Sequence, residues 1–130
     1  MGTKEDAELV RRGYAAFSAG DMETLAELFA EDAVWHVPGN AGISGNKQGR
    51  DAIFAFFAEL FSLSGGTVKV TLQEVIAGDE HTVALDHLQA ERNGTVLDQN
   101  SVNVFRIRGG KVVEVSQFSE DTERAGSFWS

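Results

Sequence analysis

The 130-residue sequence contains no cysteine, a single proline and no long uninterrupted apolar segment. Without cysteine, a disulfide framework, a thiolate nucleophile and a thiolate metal site are excluded. The N-terminal residues lack the apolar core of a signal peptide, and no stretch approaches the roughly eighteen uncharged apolar residues that span a bilayer. We therefore expect a soluble, cytoplasmic protein with no membrane partner.

Basic residues are also scarce, since eleven lysines and arginines face twenty acidic residues, for a formal net charge of -9. This charge disfavours a nucleic-acid or anionic-membrane surface. The hydrophobic fraction is 42% and the chain has nine phenylalanines. That composition can form the core of one domain spanning residues 1–130, and the length is too short for two.

Three amphipathic segments in the first half of the chain predict helices, because their apolar residues recur every three or four positions. Gly20 can adopt the left-handed conformation that ends a helix, and Asp21 is a typical N-cap for the next one. Asp51 is predicted to cap the third helix. The glycine-rich residues 40–49 are predicted to form a loop.

The second half of the chain is rich in β-branched residues. It predicts strands at 68–76, 82–92, 95–108 and 111–119, after a short strand at 34–37. The order ααβαββββ indicates an α+β fold, with three N-terminal helices packed on a curved, mainly antiparallel sheet. Both faces of strand 95–108 carry apolar residues, so we expect one face to meet the helices and the other a second subunit.

Asn93-Gly94 is a strong hairpin signal, and a two-residue turn fixes the register so that paired positions sum to 187. Asp86 then lies opposite Ser101, with Asn103 on the same face of the sheet. The turn at 109–110 is less decisive. A two-residue loop would pair Asn103 with Ser116, whereas a bulged three-residue loop would pair it with Val115.

We favour the bulged version of that second turn. It places Val113, Val115 and Gln117 on the inner face and sends Glu114 outward, which avoids burying an unpaired carboxylate.

Asp86, Ser101 and Asn103 thus share one surface with Leu88 and Phe105. A few polar groups among apolar ones are typical of a small-molecule pocket. Asp86 is the strongest catalytic candidate, because a carboxylate in an apolar pocket has a raised pKa and can transfer protons near neutral pH. The alternative is a charged strand residue that bonds locally or points to solvent.

Three aromatic or imidazole side chains are further candidates for contact with a ligand. Trp35 and His36 alternate on the first strand, so they face opposite surfaces unless Pro38 distorts the strand end. Tyr14 lies on the apolar stripe of the first helix, and its hydroxyl needs a partner if the ring is buried. The alternatives are core packing for Trp35, a hydrogen bond at the strand end for His36 and a structural role for Tyr14.

No motif predicts a metal or a nucleotide. His81 and His87 share a strand face but lie roughly 20 Å apart along the strand, at about 3.3 Å per residue. Asp86 and His87 point to opposite faces and cannot form an acid-base pair. Neither a phosphate loop nor a dinucleotide fingerprint occurs, so we predict no metal site and no cofactor.

Three segments carry a family resemblance: YAAFSAGDMETLAELFAEDAVWHVPG at 14–39, GRDAI at 49–53 and VFRIRGGKVVE at 104–114. Together they resemble the SnoaL-like branch of the nuclear-transport-factor-2-like superfamily, which also includes ketosteroid isomerases and limonene-epoxide-hydrolase-like enzymes. The resemblance implies a cone-shaped α+β barrel with an apolar cavity, usually dimerised through the outer face of the sheet.

Ketosteroid isomerases use an aspartate base and an oxyanion hole made of a tyrosine and a protonated aspartic acid. Laid on that pattern, the resemblance places Val37 at the base, Gly13 at the tyrosine and Asn103 at the protonated acid. Tyr14 is one position away from the tyrosine site, which turns it by about 100° on a helix. Two of the three roles are therefore vacant, and this departure from the isomerase pattern argues against steroid isomerisation. The resemblance places Asp86 at a cavity-lining position.

Two function hypotheses follow. The first is an enzyme that performs cofactor-free proton transfer, such as isomerisation, cyclisation or dehydration, on an apolar carbonyl compound. Asp86 would act as base or acid, and Asn103 or Gln117 would orient the carbonyl. The second is a non-catalytic homodimer that binds an apolar small molecule, and a purely structural dimerisation domain is a third alternative. The predicted ligand-binding residues are Tyr14, Trp35, His36, Val37, Leu88, Ser101, Phe105 and Gln117.

Overall fold

A computed structural model describes residues 2–130, so Met1 of the predicted 1–130 domain lies outside the described residues. The helices in this range are α1 (Thr3–Ala19), α2 (Met22–Leu28), α3 (Arg50–Leu63) and α4 (Thr122–Trp129). The strands are β1 (Phe29–Val37), β2 (Gly45–Gln48), β3 (Lys69–Ala77), β4 (Thr82–Arg92), β5 (Thr95–Arg108) and β6 (Lys111–Ser119).

The six strands form one curved sheet in the order β2-β1-β6-β5-β4-β3. β1 and β6 run parallel, and the other neighbouring pairs are antiparallel. Helix α1 contacts β3 and β4, and α3 contacts β1 and β2. The predicted α+β class, with helices on a curved and mainly antiparallel sheet, is confirmed. The sheet is open at β2 and β3 rather than closed into a barrel.

The corner between α1 and α2 forms as its sequence predicts. Gly20 is left-handed, with φ of 68°, and its backbone N–H bonds to the carbonyl of Phe17 at 3.2 Å. The Asp21 carboxylate then accepts the backbone N–H of Thr24 at 3.1 Å and caps α2. This tight corner turns the chain directly from α1 into α2, which contacts β1 and β6.

Helix α3 begins earlier than predicted. Its N-cap is Gly49, with φ of 90°, and Asp51 lies in the first turn. The Gly49 N–H bonds to the carbonyl of Ala33 at 2.7 Å, which fixes the helix start against β1. The prediction that Asp51 caps this helix was therefore wrong, because a backbone bond to a distant strand sets the boundary.

The β4–β5 hairpin has the predicted register. Asn93 and Gly94 both have positive φ, 54° and 80°, as a two-residue turn between twisted strands requires. Every pair along the hairpin sums to 187, including Asp86 with Ser101 and Ala84 with Asn103. Because side chains alternate along a strand, this register determines which residues face the helices.

The β5–β6 hairpin differs from both predicted registers. Its turn is the two-residue form, since Arg108 pairs with Lys111, but a bulge in β6 follows between the pairs that involve Arg106 and Ile107. Asn103 consequently lies opposite Gln117, so the preferred pairing with Val115 was wrong. A bulge inserts one extra residue into a strand, so the side chains beyond it point to the opposite face from the one that regular alternation predicts.

Because of the bulge, the β6 side chains that face the helices differ in part from the prediction. Val112 and Val115 are buried, with 2% and 0% of their surfaces exposed, whereas Val113 is only half-buried. Gln117 lies on the inner side, as predicted, and Glu114 lies on the outer side beside His36. Only Val113 was therefore assigned to the wrong face.

Two elements were not predicted. Part of the expected loop at 40–49 forms β2, which pairs with β1 from Val34 with Gln48 to Val37 with Gly45. The residues of β2 have little strand propensity, so tertiary pairing with an edge decides their conformation. The C-terminal residues form α4, capped by Asp121, which accepts the backbone N–H of Arg124 at 3.0 Å.

Aromatic rings fill much of the space between the sheet and the helices. The Trp35 ring lies edge-on to Phe57, with centroids 5.2 Å apart, and stacks near Phe29 at 6.3 Å. Phe17 meets Phe57 at 5.2 Å. Offset and edge-on pairs of this kind stabilise a core beyond simple area burial. These four rings also form part of the cavity wall described next.

Candidate functional site

A cavity lies between the inner face of the sheet and helices α1, α3 and α4, with a volume of about 110 Å³. One water needs about 10–15 Å³ by the same measure, so the space exceeds a single water several-fold. Its walls are mainly apolar. The polar side chains on the wall are Tyr14, Ser44, Asp86, Gln99, Ser101, Asn103, Gln117, Ser119 and Thr122.

Four of these polar side chains form one hydrogen-bonded cluster. The Tyr14 hydroxyl donates to Asp86 Oδ2 at 2.6 Å, and the Ser101 hydroxyl donates to Asp86 Oδ1. Asn103 Nδ2 donates to the Tyr14 hydroxyl oxygen at 2.9 Å and lies 3.4 Å from Asp86 Oδ2. The cluster therefore presents a carboxylate to the cavity with donors on both of its oxygens.

The elements around the cluster explain how it assembles. Asp86 and Ser101 face each other across β4 and β5, and Asn103 is two residues further along β5 on the same face. Tyr14 reaches them from α1, across the cavity from the sheet. Asp86 is only 1% exposed and Asn103 is 7% exposed. A helix and a hairpin thus hold the carboxylate at a fixed place inside the protein.

Burial raises the pKa of the Asp86 carboxyl above its ordinary value of 3.8. Hydrogen bonds from Ser101 and Tyr14, and the nearby charge of His87, oppose this rise by stabilising the anion. The pKa of the Tyr14 hydroxyl is also raised, mainly by burial and then by the neighbouring Asp86 charge. Tyr14 is therefore a neutral donor at physiological pH, and Asp86 is the group that can exchange a proton.

Trp35 and Gln117 form a second polar contact on the cavity wall. The Trp35 indole N–H donates to Gln117 Oε1 at 2.9 Å. This bond leaves the Gln117 Nε2 amide as a donor beside the cavity. Other predicted residues that line the wall are Val37, Leu88 and Phe105.

His36 does not line the cavity, so its predicted contact with a ligand there was wrong. Its ring nitrogens lie 2.6 Å from Asn46 Oδ1 and 2.7 Å from Glu114 Oε2, on the opposite side of the sheet from the cavity. Strand alternation is the physical reason, since neighbouring Trp35 points inward. These hydrogen bonds raise the pKa of His36 above 6.5, Asn46 having the larger effect.

Strand alternation also separates His87 from Asp86. The His87 imidazole bonds to Asn100 Oδ1 at 2.8 Å and to Asp98, both on the outer face of β5. The prediction that Asp86 and His87 point to opposite faces is confirmed. Among residues 2–130 no group of three or more potential metal ligands converges. No helix in that range has both the length and the apolar composition to cross a bilayer.

The sequence reasoning missed four polar cavity residues, namely Ser44, Gln99, Ser119 and Thr122, of which only Gln99 is buried. It is 6% exposed and lies on the cavity wall. The sequence did contain a signal for Gln99, because the alternation of side chains along β5 places it on the same face as Ser101 and Asn103. The helix α4 that meets Gln99 was not predicted, so nothing marked this end of β5 as enclosed.

Comparison with known proteins identifies the family. A model of the SnoaL-like domain matches residues 10–115. This chain belongs to the SnoaL-like family. The uncharacterized protein Rv0034 of Mycobacterium tuberculosis is a relative with 36% identity over 126 residues, which cover 96% of each chain. The corresponding Mycobacterium bovis protein, Mb0035, matches with the same identity and coverage.

Two solved structures share the fold. Bal32a, from a soil-derived mobile gene cassette, superposes with a TM-score of 0.96 at 41% identity over 98% of each chain. TerC, crystallised with polyporic acid, superposes with a TM-score of 0.84 at 23% identity over 96% of this chain and 98% of its own. The second likeness shows the fold alone.

Proposed function

We propose that this SnoaL-like protein catalyses cofactor-free proton transfer on an apolar carbonyl compound bound in the cavity. The single observation that carries the proposal is Asp86, a carboxyl group that is 1% exposed on the wall of a mainly apolar cavity. Its raised pKa brings it closer to the range in which a general acid or base works at neutral pH.

The proposed step begins with ionised Asp86. The carboxylate removes a proton from the carbon next to the ligand carbonyl, and the electron pair moves onto the carbonyl oxygen. An amide donor on the wall then bonds to the developing oxyanion. The donor is Gln117 Nε2, or the second hydrogen of Asn103 Nδ2, which turns to the oxyanion from its long 3.4 Å contact with Asp86 Oδ2. A well-placed donor of this type contributes about 3 kcal/mol to the transition state. In an isomerisation, Asp86 returns the proton to a different carbon of the conjugated enolate. In a cyclisation, the enolate carbon attacks a second carbonyl of the ligand, and the alkoxide that forms takes the proton back from Asp86.

Tyr14 has a positioning role in this scheme. Its hydroxyl donates to Asp86 Oδ2 and accepts from Asn103, so it holds the carboxylate and the amide in one arrangement. The bond also stabilises the anion and limits the rise of the Asp86 pKa. The hydroxyl thereby keeps Asp86 available as a base.

The test uses a panel of cyclic ketones, epoxides and polyporic acid, with ligand binding followed by tryptophan fluorescence and turnover by proton NMR, which distinguishes isomers of equal mass. We expect Asp86→Asn to abolish turnover while binding persists, since the amide keeps the shape and cannot act as a base. Asn103→Leu is expected to lower turnover by about a hundredfold, the loss that one oxyanion donor produces. His36→Gln, on the outer face, serves as the matched control. Turnover that survives Asp86→Asn would contradict the proposed role.

A non-catalytic binding protein is the second candidate. The observation that favours it is the occupancy of the isomerase positions, where the resemblance places Val37 and Gly13 in the base and tyrosine roles. Both residues lie on the cavity wall and neither carries a polar side chain. Binding without turnover across the panel, in the parent and in every variant, would support this candidate.

We also propose that the protein forms a homodimer through the outer face of the sheet. Phe118 is 54% exposed on that face and pairs in register with Val102, which pairs in turn with Leu85. Val104 and Val83 form the adjacent pair. An exposed phenylalanine beside apolar cross-strand neighbours is typical of an interaction site.

A further inference from the structure

The cavity end next to α4 holds a polar group that the proposed reaction does not use, the Gln99 amide. Gln99 Oε1 accepts the backbone N–H of Asp121, which caps α4, at 3.1 Å. Gln99 lines the cavity, and its Nε2 atom is buried and has no hydrogen-bond partner within residues 2–130. A buried donor of this kind is costly unless a ligand or a water satisfies it.

The orientation of the Gln99 amide follows from its fixed partner. The backbone N–H of Asp121 can only donate, so the amide oxygen of Gln99 must face it. The NH2 end of Gln99 is therefore the end that remains for the cavity. The group offered to a ligand is a hydrogen-bond donor.

A second unsatisfied atom lies on the same face of β5. Asn103 Nδ2 bonds to Tyr14, but Asn103 Oδ1 is buried without a partner among the described residues. The two amides are four positions apart on the strand, a spacing of about 13 Å along the backbone. Apolar side chains, including Leu88 and Leu97, line the wall around them.

We propose that Gln99 is a second anchor for the ligand, donating a hydrogen bond from Nε2 to a ligand oxygen at the α4 end of the cavity. The substrate class is then an elongated apolar compound with an oxygen function at each end, one at Gln99 and one at the Asp86 cluster. This inference rests on the proposed function, because it concerns a ligand of the same cavity.

The test measures binding of two matched probes, biphenyl and p,p′-biphenol, by tryptophan fluorescence. Gln99→Met keeps the length of the side chain and removes its hydrogen bonds. Gln99→Leu removes the same hydrogen bonds with a slightly shorter side chain, so the two variants differ in shape and share only the loss of the amide. We expect each variant to weaken p,p′-biphenol binding by at least about fivefold, the loss typical of one hydrogen bond, and to leave biphenyl binding unchanged.

An NMR measurement on the parent protein keeps the test independent of how the variants fold. The Gln99 side-chain amide signal, identified by its loss in Gln99→Met, is expected to shift on addition of p,p′-biphenol and to remain in place with biphenyl. An unmoved signal, or unchanged p,p′-biphenol affinity in both variants, would overturn the second anchor.

The outcomes separate this inference from the proposed function. If Asn103→Leu weakens p,p′-biphenol binding and the Gln99 variants do not, the ligand contact at the Asp86 cluster is supported and the second anchor is contradicted. If the Gln99 variants weaken p,p′-biphenol binding and no compound of the panel is turned over, the second anchor is supported and the proposed catalysis is contradicted. If neither probe binds the parent protein, the second anchor is contradicted, and the proposed function is decided by its own panel of compounds.

Discussion

The hydrogen bond from Tyr14 to Asp86 predicts a stability effect that depends on pH. Tyr14→Phe removes one hydroxyl group, which donates to Asp86 Oδ2 at 2.6 Å and accepts from Asn103 at 2.9 Å. A hydrogen bond to a neutral partner contributes about 0.5–1.5 kcal/mol, and one to a charged partner about 1.5–3 kcal/mol. The substitution should therefore cost about 1 kcal/mol while Asp86 is protonated and about 2 kcal/mol once it is ionised.

The direction of the pH dependence follows from the raised pKa of Asp86. A buried acid whose folded pKa lies above its unfolded value of 3.8 binds extra protons in the folded state, so its ionisation lowers stability as pH rises through the folded pKa. Without the Tyr14 hydroxyl, this pKa rises further. The gap in free energy of unfolding between the parent and Tyr14→Phe should therefore widen as pH rises.

Urea unfolding followed by tryptophan fluorescence, repeated from about pH 4 to about pH 9, measures this gap. With a urea dependence of about 2 kcal/mol per molar, a gap of about 2 kcal/mol moves the midpoint by about 1 M. In an Asp86→Asn background, Tyr14→Phe should lose its pH-dependent part, which makes the double variant the control. A gap that stays constant across this range would refute the reasoning, because Asp86 would then not change charge beside Tyr14.

Two further predictions concern the outer face of the sheet. Hydrogen bonds to Asn46 and Glu114 raise the pKa of His36, so they stabilise the fold below pH 6.5 and this contribution is lost as pH rises through the folded pKa. His36→Gln should therefore reduce stability in thermal melts more at low pH than at high pH, and an equal loss at both would contradict the ion pair. Phe118→Glu places a charge on the exposed apolar surface and should convert the proposed dimer to a monomer in light scattering. A variant that stays dimeric would place the interface elsewhere.

Local sequence signals were sufficient to predict the structure where a single turn determines the pairing of many residues. Asn93-Gly94 fixes the register of β4 and β5, and that register alone turns Asp86, Ser101 and Asn103 to one face. The facing of the predicted catalytic pair therefore follows from the amino-acid sequence alone. Gly20 and Asp21 likewise define the α1–α2 corner through their own conformations.

The remaining features depend on contacts between distant parts of the chain. Tyr14 and Asp86 are 72 residues apart, and their hydrogen bond depends on how α1 docks and rotates above the sheet. No local pattern reports that rotation, so the role of Tyr14 stayed open in the sequence. The strand β2 and the bulge in β6 are also decided by neighbouring strands rather than by their own residues.

The most direct measurement of the central claim is the titration of the Asp86 side chain itself. Carbon-13 NMR of the carboxyl signal, assigned by its loss in Asp86→Asn, reports the protonation of this one group as pH changes. Desolvation in the cavity predicts a midpoint above 3.8 for the folded protein. A midpoint at or below 3.8 would contradict a buried carboxyl group prepared for proton transfer.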